Sequence, residues 1–253
     1  MKILGVIPAR YDSSRFPGKP LVVIDGKTMI RRVYEQASRC AALDKVVVAT
    51  DHEAIGNHVA LFGGNVMMTG KHHRSGTERC SEVVDKLAGE GEIYDCVLNI
   101  QGDEPFIEPA QIECLAACFS DPGTVLATLI KKVTDAGDLT NPNVVKVVVD
   151  KRGTALLFSR SAIPYIRGAE SKDWLTATTF YKHIGLYGYR SSVLGELVAL
   201  TPSPLEIAES LEQLRWLENG FQIQTYVTEY ESVAIDTPAD LLKITNINGT
   251  FSQ

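Results

Sequence analysis

In the first half of the chain, apolar residues fall in short unbroken runs separated by stretches with helical periodicity. Ile3 to Ile7, Lys45 to Ala49, Asn65 to Met68 and Tyr94 to Ile100 are runs of the kind that strands show when both faces of a sheet are covered. Between them lie helical patterns. Met29, Ile30, Val33 and Ala37 follow a Thr28 cap, a second helix from about Glu53 to Leu61 meets Gly63-Gly64, and a third carries Cys80, Val83, Val84 and Leu87. Pro109 suits the first turn of a fourth, with Ile112, Leu115, Ala116 and Phe119 on one side. This alternation predicts an α/β fold with a mostly parallel central sheet and helices on both faces.

From Val125 onward the strand-like runs follow one another: Val125 to Ile130, Val144 to Val149, Thr154 to Phe158 and Tyr181 to Tyr189. Asp150-Lys151-Arg152-Gly153 is a hairpin signal between two of them, so residues 131–190 read as an antiparallel lobe. Arg167 to Thr178 is polar and aperiodic and reads as a loop. Helices resume at Ser191 to Leu200 and from about Glu206 to Asn219, where Asn219-Gly220 is a stop signal. Ile223 to Val227 is a late strand, and Ser232 to Pro238 leads into a last helix. No repeat or linker divides the chain, so residues 1–253 read as one domain with the lobe inserted.

Composition narrows the function classes. With 45% hydrophobic and 22% charged residues and a formal net charge of -6, the chain reads as a folded soluble protein with no basic stripe for nucleic acid. No apolar run approaches the ~20 residues of a membrane-spanning helix. Met1-Lys2 leads straight into a strand pattern without a cleavage site, so the expected location is cytoplasmic. The five cysteines, Cys40, Cys80, Cys96, Cys114 and Cys118, form no CxxC pair and read as reduced thiols. Cys114 and Cys118 would share a helix face, among apolar neighbours that favour burial over metal binding.

Against the acidic background, the loop after the first strand inverts the charge: Arg10, Arg15 and Lys19 face a single acid, Asp12. Prolines 8, 17 and 20 restrict its shape and Gly18 permits turns that other residues resist, as a phosphate cradle requires; solvated surface charge is the alternative. A second loop, Thr69 to Thr77, should lie on the same rim, with Arg74, Ser75 and the amides near Gly76 as anion or nucleobase contacts. His72-His73 has no companion cluster at ligand spacing and is not read as a metal site. Asp103 and Asp236 each stand at a strand end, where a carboxylate can hold Mg²⁺ against a phosphate or cap a helix. The sequence contains no G-x-x-x-x-G-K-[ST], no G-x-G-x-x-G after the first strand and no G-x-S-x-G. A basic loop with two acids is equipment for metal-assisted attack on a nucleotide phosphate.

Ile7-Pro8-Ala9-Arg10 with Ser13-Ser14-Arg15-Phe16-Pro17-Gly18-Lys19-Pro20-Leu21 resembles the nucleotide-binding signature of sugar nucleotidyltransferases, specifically of the cytidylyltransferases that activate acidic sugars. Arg74-Ser75-Gly76-Thr77-Glu78-Arg79, Asn99 to Pro105, Phe158-Ser159-Arg160, Tyr181 to Tyr187, Leu211 to Arg215 and Asp236-Thr237-Pro238 extend the resemblance in order along nearly the whole chain. The resemblance implies a reaction of CTP with 3-deoxy-manno-octulosonate (Kdo) giving CMP-Kdo and pyrophosphate for lipopolysaccharide assembly, with Mg²⁺ as cofactor and a homodimer built through the lobe. It implies that Arg10, Arg15 and Lys19 hold the triphosphate, Pro8 and Ala9 meet the cytosine, Arg74 and Ser75 complete the nucleotide pocket, and Asp103 and Asp236 ligate the metal. Lys19, Arg10, Asp103 and Asp236 would then be the catalytic set. Gln101, Arg160, His183, Tyr187, Glu212 and Gln213 would face the sugar, Arg160 meeting its carboxylate and His183 making a contact rather than moving a proton. The rival readings are the same chemistry on 8-amino-Kdo or a sialic acid, and a catalytically silent nucleotide-binding module.

Overall fold

The computed structural model describes residues 1–12, 16–231 and 234–241. They pack as two compact units, one taking in residues 1–113 with the described part of 232–253, the other residues 114–231.

The first unit is built on parallel strands. β1 (Ile3–Ala9) pairs with β4 (Lys45–Thr50) on one side and β6 (Cys96–Asn99) on the other, and β4 pairs with β5 (Val66–Met68). A short hairpin, β2 (Val23–Ile24) and β3 (Lys27–Thr28), leads into α1 (Met29–Ala37). α2 (Glu53–Leu61), α3 (Gly76–Gly89) and α4 (Pro109–Ala117) follow β4, β5 and β6. The apolar runs form these strands because their side chains are buried on both faces: Leu4, Val6, Ile7, Val48, Val97 and Leu98 are inaccessible to solvent. In α1 the buried residues are Met29, Ile30, Val33 and Ala37, the predicted stripe.

The second unit is mainly antiparallel. β7 (Leu126–Lys132) pairs antiparallel with β10 (Tyr181–Arg190) and parallel with β11 (Gln224–Val227). β8 (Lys146–Val149) pairs with β10 and with β9 (Ala155–Ser159), and the β8–β9 connection is the predicted hairpin. Its turn is closed by Gly153 N–H donating to the Asp150 carbonyl.

Two segments depart from the sequence reading. Residues 167–178 contain a 3₁₀ turn, Ser171–Asp173, and a helical turn, α6 (Trp174–Ala177), numbered after the short α5 (Ala136–Thr140). Trp174 anchors it in an apolar cluster with Val133, Leu139 and Phe180, a burial that one aromatic in a polar stretch does not announce. The helix expected from Glu206 to Asn219 is two helices. After α7 (Ser191–Ala199), α8 (Pro204–Glu209) begins with a Ser203–Glu206 capping box and ends at Ser210, whose φ of 52° lies in the left-handed region; α9 (Glu212–Glu218) restarts beyond it.

A buried cation organises the lobe. Lys146 is fully buried, and its ammonium donates to the carbonyls of Asn141, Val144 and Arg160 at 2.9, 2.5 and 2.5 Å. Burial, the largest influence on it, lowers its pKa. Lys146→Met would keep the stem volume and leave three carbonyls without their donor, so urea unfolding should show a loss of about 3 kcal/mol. An unchanged midpoint would mean that the ammonium does not hold the lobe together.

Candidate nucleotide site

The parallel register ends β1, β4 and β6 on one rim, and there a cavity of about 280 Å³ opens in the first unit. Its wall runs from Pro8 and Ala9 at the end of β1 and Arg10 beyond it, through Lys19, to Arg74 and Ser75 at the start of α3. Gln101, Gly102 and Asp103 after β6, with Asp236, complete it. Sequence-predicted residues from four separate segments are thus brought together. Arg15 lies outside the described residues.

The basic loop is held by its own backbone. Gly18, at φ 70°, donates its N–H to the Tyr11 carbonyl at 3.0 Å, a conformation that a side chain would strain. The 3₁₀ turn Lys19–Leu21 follows directly and fixes the root of Lys19. Phe16 packs with Phe106 and Leu241 against buried Ile24, Met29 and Ile235. Ile235 also donates its N–H to the Asp103 carbonyl at 2.9 Å, which places the neighbouring Asp236 beside Asp103. The Lys19 ammonium lies between the two carboxylates, 2.7 Å from Asp103 Oδ2 and 3.3 Å from Asp236 Oδ1. At the cavity floor, a Cβ on Gly102 would stand 2.6 Å from the Pro8 carbonyl oxygen, so β1 and the 101–103 loop can meet this closely only through glycine.

The loop before α3 is tied down by ion pairs. Ser75 caps the helix, its hydroxyl accepting from Glu78 N–H at 3.2 Å. Glu78 accepts from the Arg74 backbone N–H and guanidinium, holding that exposed side chain at the mouth. Glu82 accepts from the Gly70 N–H and pairs with His73 and Lys86; burial works to raise its pKa, but these donors bring it down to about 2. Arg79, buried and lining the cavity, donates to Thr69, to the Gly70 carbonyl and to Asp51. His73 and Arg79 were not among the predicted site residues. Their signal was available: Arg79 stands one helical turn beyond the Ser75 cap and ends the quoted 74–79 motif.

Asp103 and Asp236 come as a pair; among the described residues no group of three or more His, Cys, Asp or Glu side chains gathers as a metal site. Two carboxylates suit Mg²⁺, which keeps waters and takes phosphate oxygens for its remaining positions. That one cation already bridges them shows that both oxygens can be reached from a single point.

The other predicted residues, Arg160, His183, Tyr187, Glu212 and Gln213, belong to the second unit. The Arg160 guanidinium donates to the carbonyls of Glu209, Pro142 and Ser210 at 2.7, 2.9 and 3.4 Å, using Nε, Nη1 and Nη2 once each. One N–H on each terminal nitrogen is left over. Glu209 steadies its backbone, accepting from Arg160 N–H at 2.8 Å and the Ser159 hydroxyl at 2.6 Å. His183 stands before a bulge in β10, and its Nε2 is 3.0 Å from the Thr128 hydroxyl, which itself donates to the Leu186 carbonyl at 2.8 Å. With the Thr128 proton given to a main-chain carbonyl, Nε2–H is the donor to the hydroxyl oxygen, and burial keeps the imidazole neutral. Buried Tyr187 Oη, Gln213 Nε2 and Trp216 Nε1 have no hydrogen-bond partner among the described residues.

A family model described as Cytidylyltransferase matches residues 4–225. The chain belongs to the cytidylyltransferase family. It is 56% identical over 247 residues to a 3-deoxy-manno-octulosonate cytidylyltransferase of Parabacteroides distasonis, covering 96% of both chains, and 55% identical to one of Phocaeicola vulgatus. A solved CMP:2-keto-3-deoxy-manno-octonic acid synthetase complexed with CTP superposes with a TM-score of 0.89 at 42% identity, covering 99% of each chain. A glucose-1-phosphate thymidylyltransferase described as putative, from Bacillus anthracis, shares the fold alone, with a TM-score of 0.65 at 16% identity.

Within this cytidylyltransferase, burial pushes the pKa of His183 down from 6.5 to about 3. Its contribution to stability is complete above pH 6.5 and is lost as pH falls toward 3, because the unfolded chain binds the proton first. Urea melts of His183→Asn should lose less stability than the parent between about pH 6.5 and pH 4. Parallel pH profiles would show that His183 is not held neutral.

Proposed function

We propose that this cytidylyltransferase transfers the cytidylyl group of CTP to 3-deoxy-manno-octulosonate, giving CMP-Kdo and pyrophosphate. The observation that carries the reading is the convergence of Lys19, Asp103 and Asp236 on the rim that also presents Arg10 and Arg74. Triphosphate oxygens would meet Arg10, Arg15, Lys19 and Arg74, while the backbone of Pro8 and Ala9 and the Ser75 cap would border the nucleoside. The anomeric hydroxyl of the sugar attacks the α-phosphorus as the bond to pyrophosphate breaks, and its proton is released; no covalent enzyme intermediate is needed. Asp103 and Asp236 would hold Mg²⁺, which when bound supplies neutralising charge to the phosphate oxygens. Lys19 and Arg10 add positive charge where negative charge accumulates on the phosphate oxygens in the transition state.

On the sugar side, the two spare N–H groups of Arg160 match the two oxygens of a carboxylate. Gln101, His183, Tyr187, Glu212 and Gln213 would take hydroxyls; the partnerless Tyr187 Oη and Gln213 Nε2 support this. A second copy of the chain would pair through the lobe, where Leu156 and Leu157 of β9 stand exposed. Among the described residues no helix is long and apolar enough to cross a membrane, and we place the reaction in the cytoplasm, supplying lipopolysaccharide assembly.

Pyrophosphate release should be measured with each of four nucleoside triphosphates against Kdo, 8-amino-Kdo and sialic acid. CTP with Kdo is expected to dominate, and a rate no higher than the blanks for that pair would refute the assignment. Asp103→Asn should lower turnover by about 100-fold while the fold survives. Unchanged turnover at saturating Mg²⁺ would remove Asp103 from the mechanism.

A further inference from the structure

The Lys19 ammonium lies between the two carboxylates read above as metal ligands. It is 2.7 Å from one Asp103 oxygen and 3.3 Å from one Asp236 oxygen, and its side chain is only 12% exposed. Its root is fixed by the Gly18 turn and by Val22 N–H donating to the Lys19 carbonyl at 3.1 Å, so the ammonium can swing on its four-carbon stem but the backbone cannot withdraw. The two acids are equally constrained, because the Ile235 to Asp103 backbone bond holds their segments together. The ammonium between them offsets the repulsion of two like charges held on adjoining segments.

We propose that Lys19 is a built-in competitor for the metal site: in the nucleotide-free protein it neutralises Asp103 and Asp236 and opposes divalent-cation binding, and it is released when a triphosphate offers it another anion. This rests on the reading of Asp103 and Asp236 as metal ligands. The ammonium and the divalent ion seek the same two oxygens, so one must leave for the other to bind. An ammonium swung out of the pair enters the cavity lined by Arg10, Arg74 and the Ser75 cap, where it needs a new negative partner. Phosphate oxygens supply that partner. Metal and nucleotide then help each other to bind, and by linkage the help is reciprocal. The arrangement keeps a bare metal ion from occupying the site before the nucleotide arrives.

The test is Mn²⁺ alone titrated into nucleotide-free protein, with the free ion followed by electron paramagnetic resonance, for the parent, Lys19→Met, Lys19→Arg and Asp103→Asn. Lys19→Met should bind Mn²⁺ at least about tenfold more tightly than the parent, and Lys19→Arg within about threefold of it. Asp103→Asn should bind more weakly than the parent. A thermal melt supplies a second readout: Lys19→Met should be destabilised without metal, through two carboxylates that have lost the Lys19 ammonium, and Mn²⁺ should raise its midpoint more than the parent's. If Asp103→Asn weakens Mn²⁺ binding but Lys19→Met fails to strengthen it, the competition is refuted and the metal assignment stands. If neither substitution changes Mn²⁺ binding, the metal assignment itself falls, and this inference with it.

Discussion

Parallel pairing of β1 with β4 and β6 is the constraint on which the nucleotide site depends. It aligns Ala9 with Thr50 and Val6 with Asn99, so all three strands deliver their following loops to one rim. The β1 and β6 loops then meet across a gap that only the missing side chain of Gly102 leaves open. The third contributor arrives from the far end of the sequence: Ile235, buried with Ile24 and Met29, bonds to the Asp103 backbone and carries Asp236 with it. An apolar contact thus determines where a carboxylate stands.

Charge in the cavity is arranged in pairs before any ligand is present. Lys19 has Asp103 and Asp236, Arg74 has Glu78, and Arg79 has Asp51. Each pair holds a long side chain, which lowers the ordering cost when an anion binds. The pairs differ in depth. Arg79 is buried and its partner Asp51 half-buried, and they serve the loop, whereas Arg74 stands largely in solvent, where its pair with Glu78 is weak and easily exchanged for a phosphate.

Much of the first unit was legible because its strands are unbroken apolar runs and its helices carry clean stripes, so the loops carrying Lys19 and Asp103 could be placed after the first and fourth of those runs from position alone; the strand expected to end at Asp236 does not appear, since residues 234–236 have no strand conformation. The direct pairing of Lys19 with Asp103 and Asp236 could not be read, since it depends on the Ile235 contact between residues 132 positions apart in sequence, by subtraction of 103 from 235. The second unit was less legible for the same reason. The burial of Trp174 is decided by Val133, Leu139 and Phe180, which lie in other elements. The break at Ser210 has no glycine or proline to mark it, and Arg160 bonds to the Glu209 and Ser210 carbonyls that flank it. Lys146, in a run of valines, reads as a polar interruption of a strand, while its ammonium in fact gathers three loop carbonyls.

Lys19 and Lys146 show how one functional group acquires opposite fates from its surroundings. Lys146 is held by three neutral carbonyls in a site without solvent access, and losing its ammonium would leave those buried dipoles unpaired. Lys19 is held by two carboxylates with solvent-exposed portions, partners that would accept a divalent ion in its place. Neutral carbonyls out of reach of solvent keep their tethered cation, whereas an accessible pair of carboxylates can exchange it for one of higher charge. The difference in ligand type, more than any difference between the two lysines, makes one of them part of the scaffold and the other able to move.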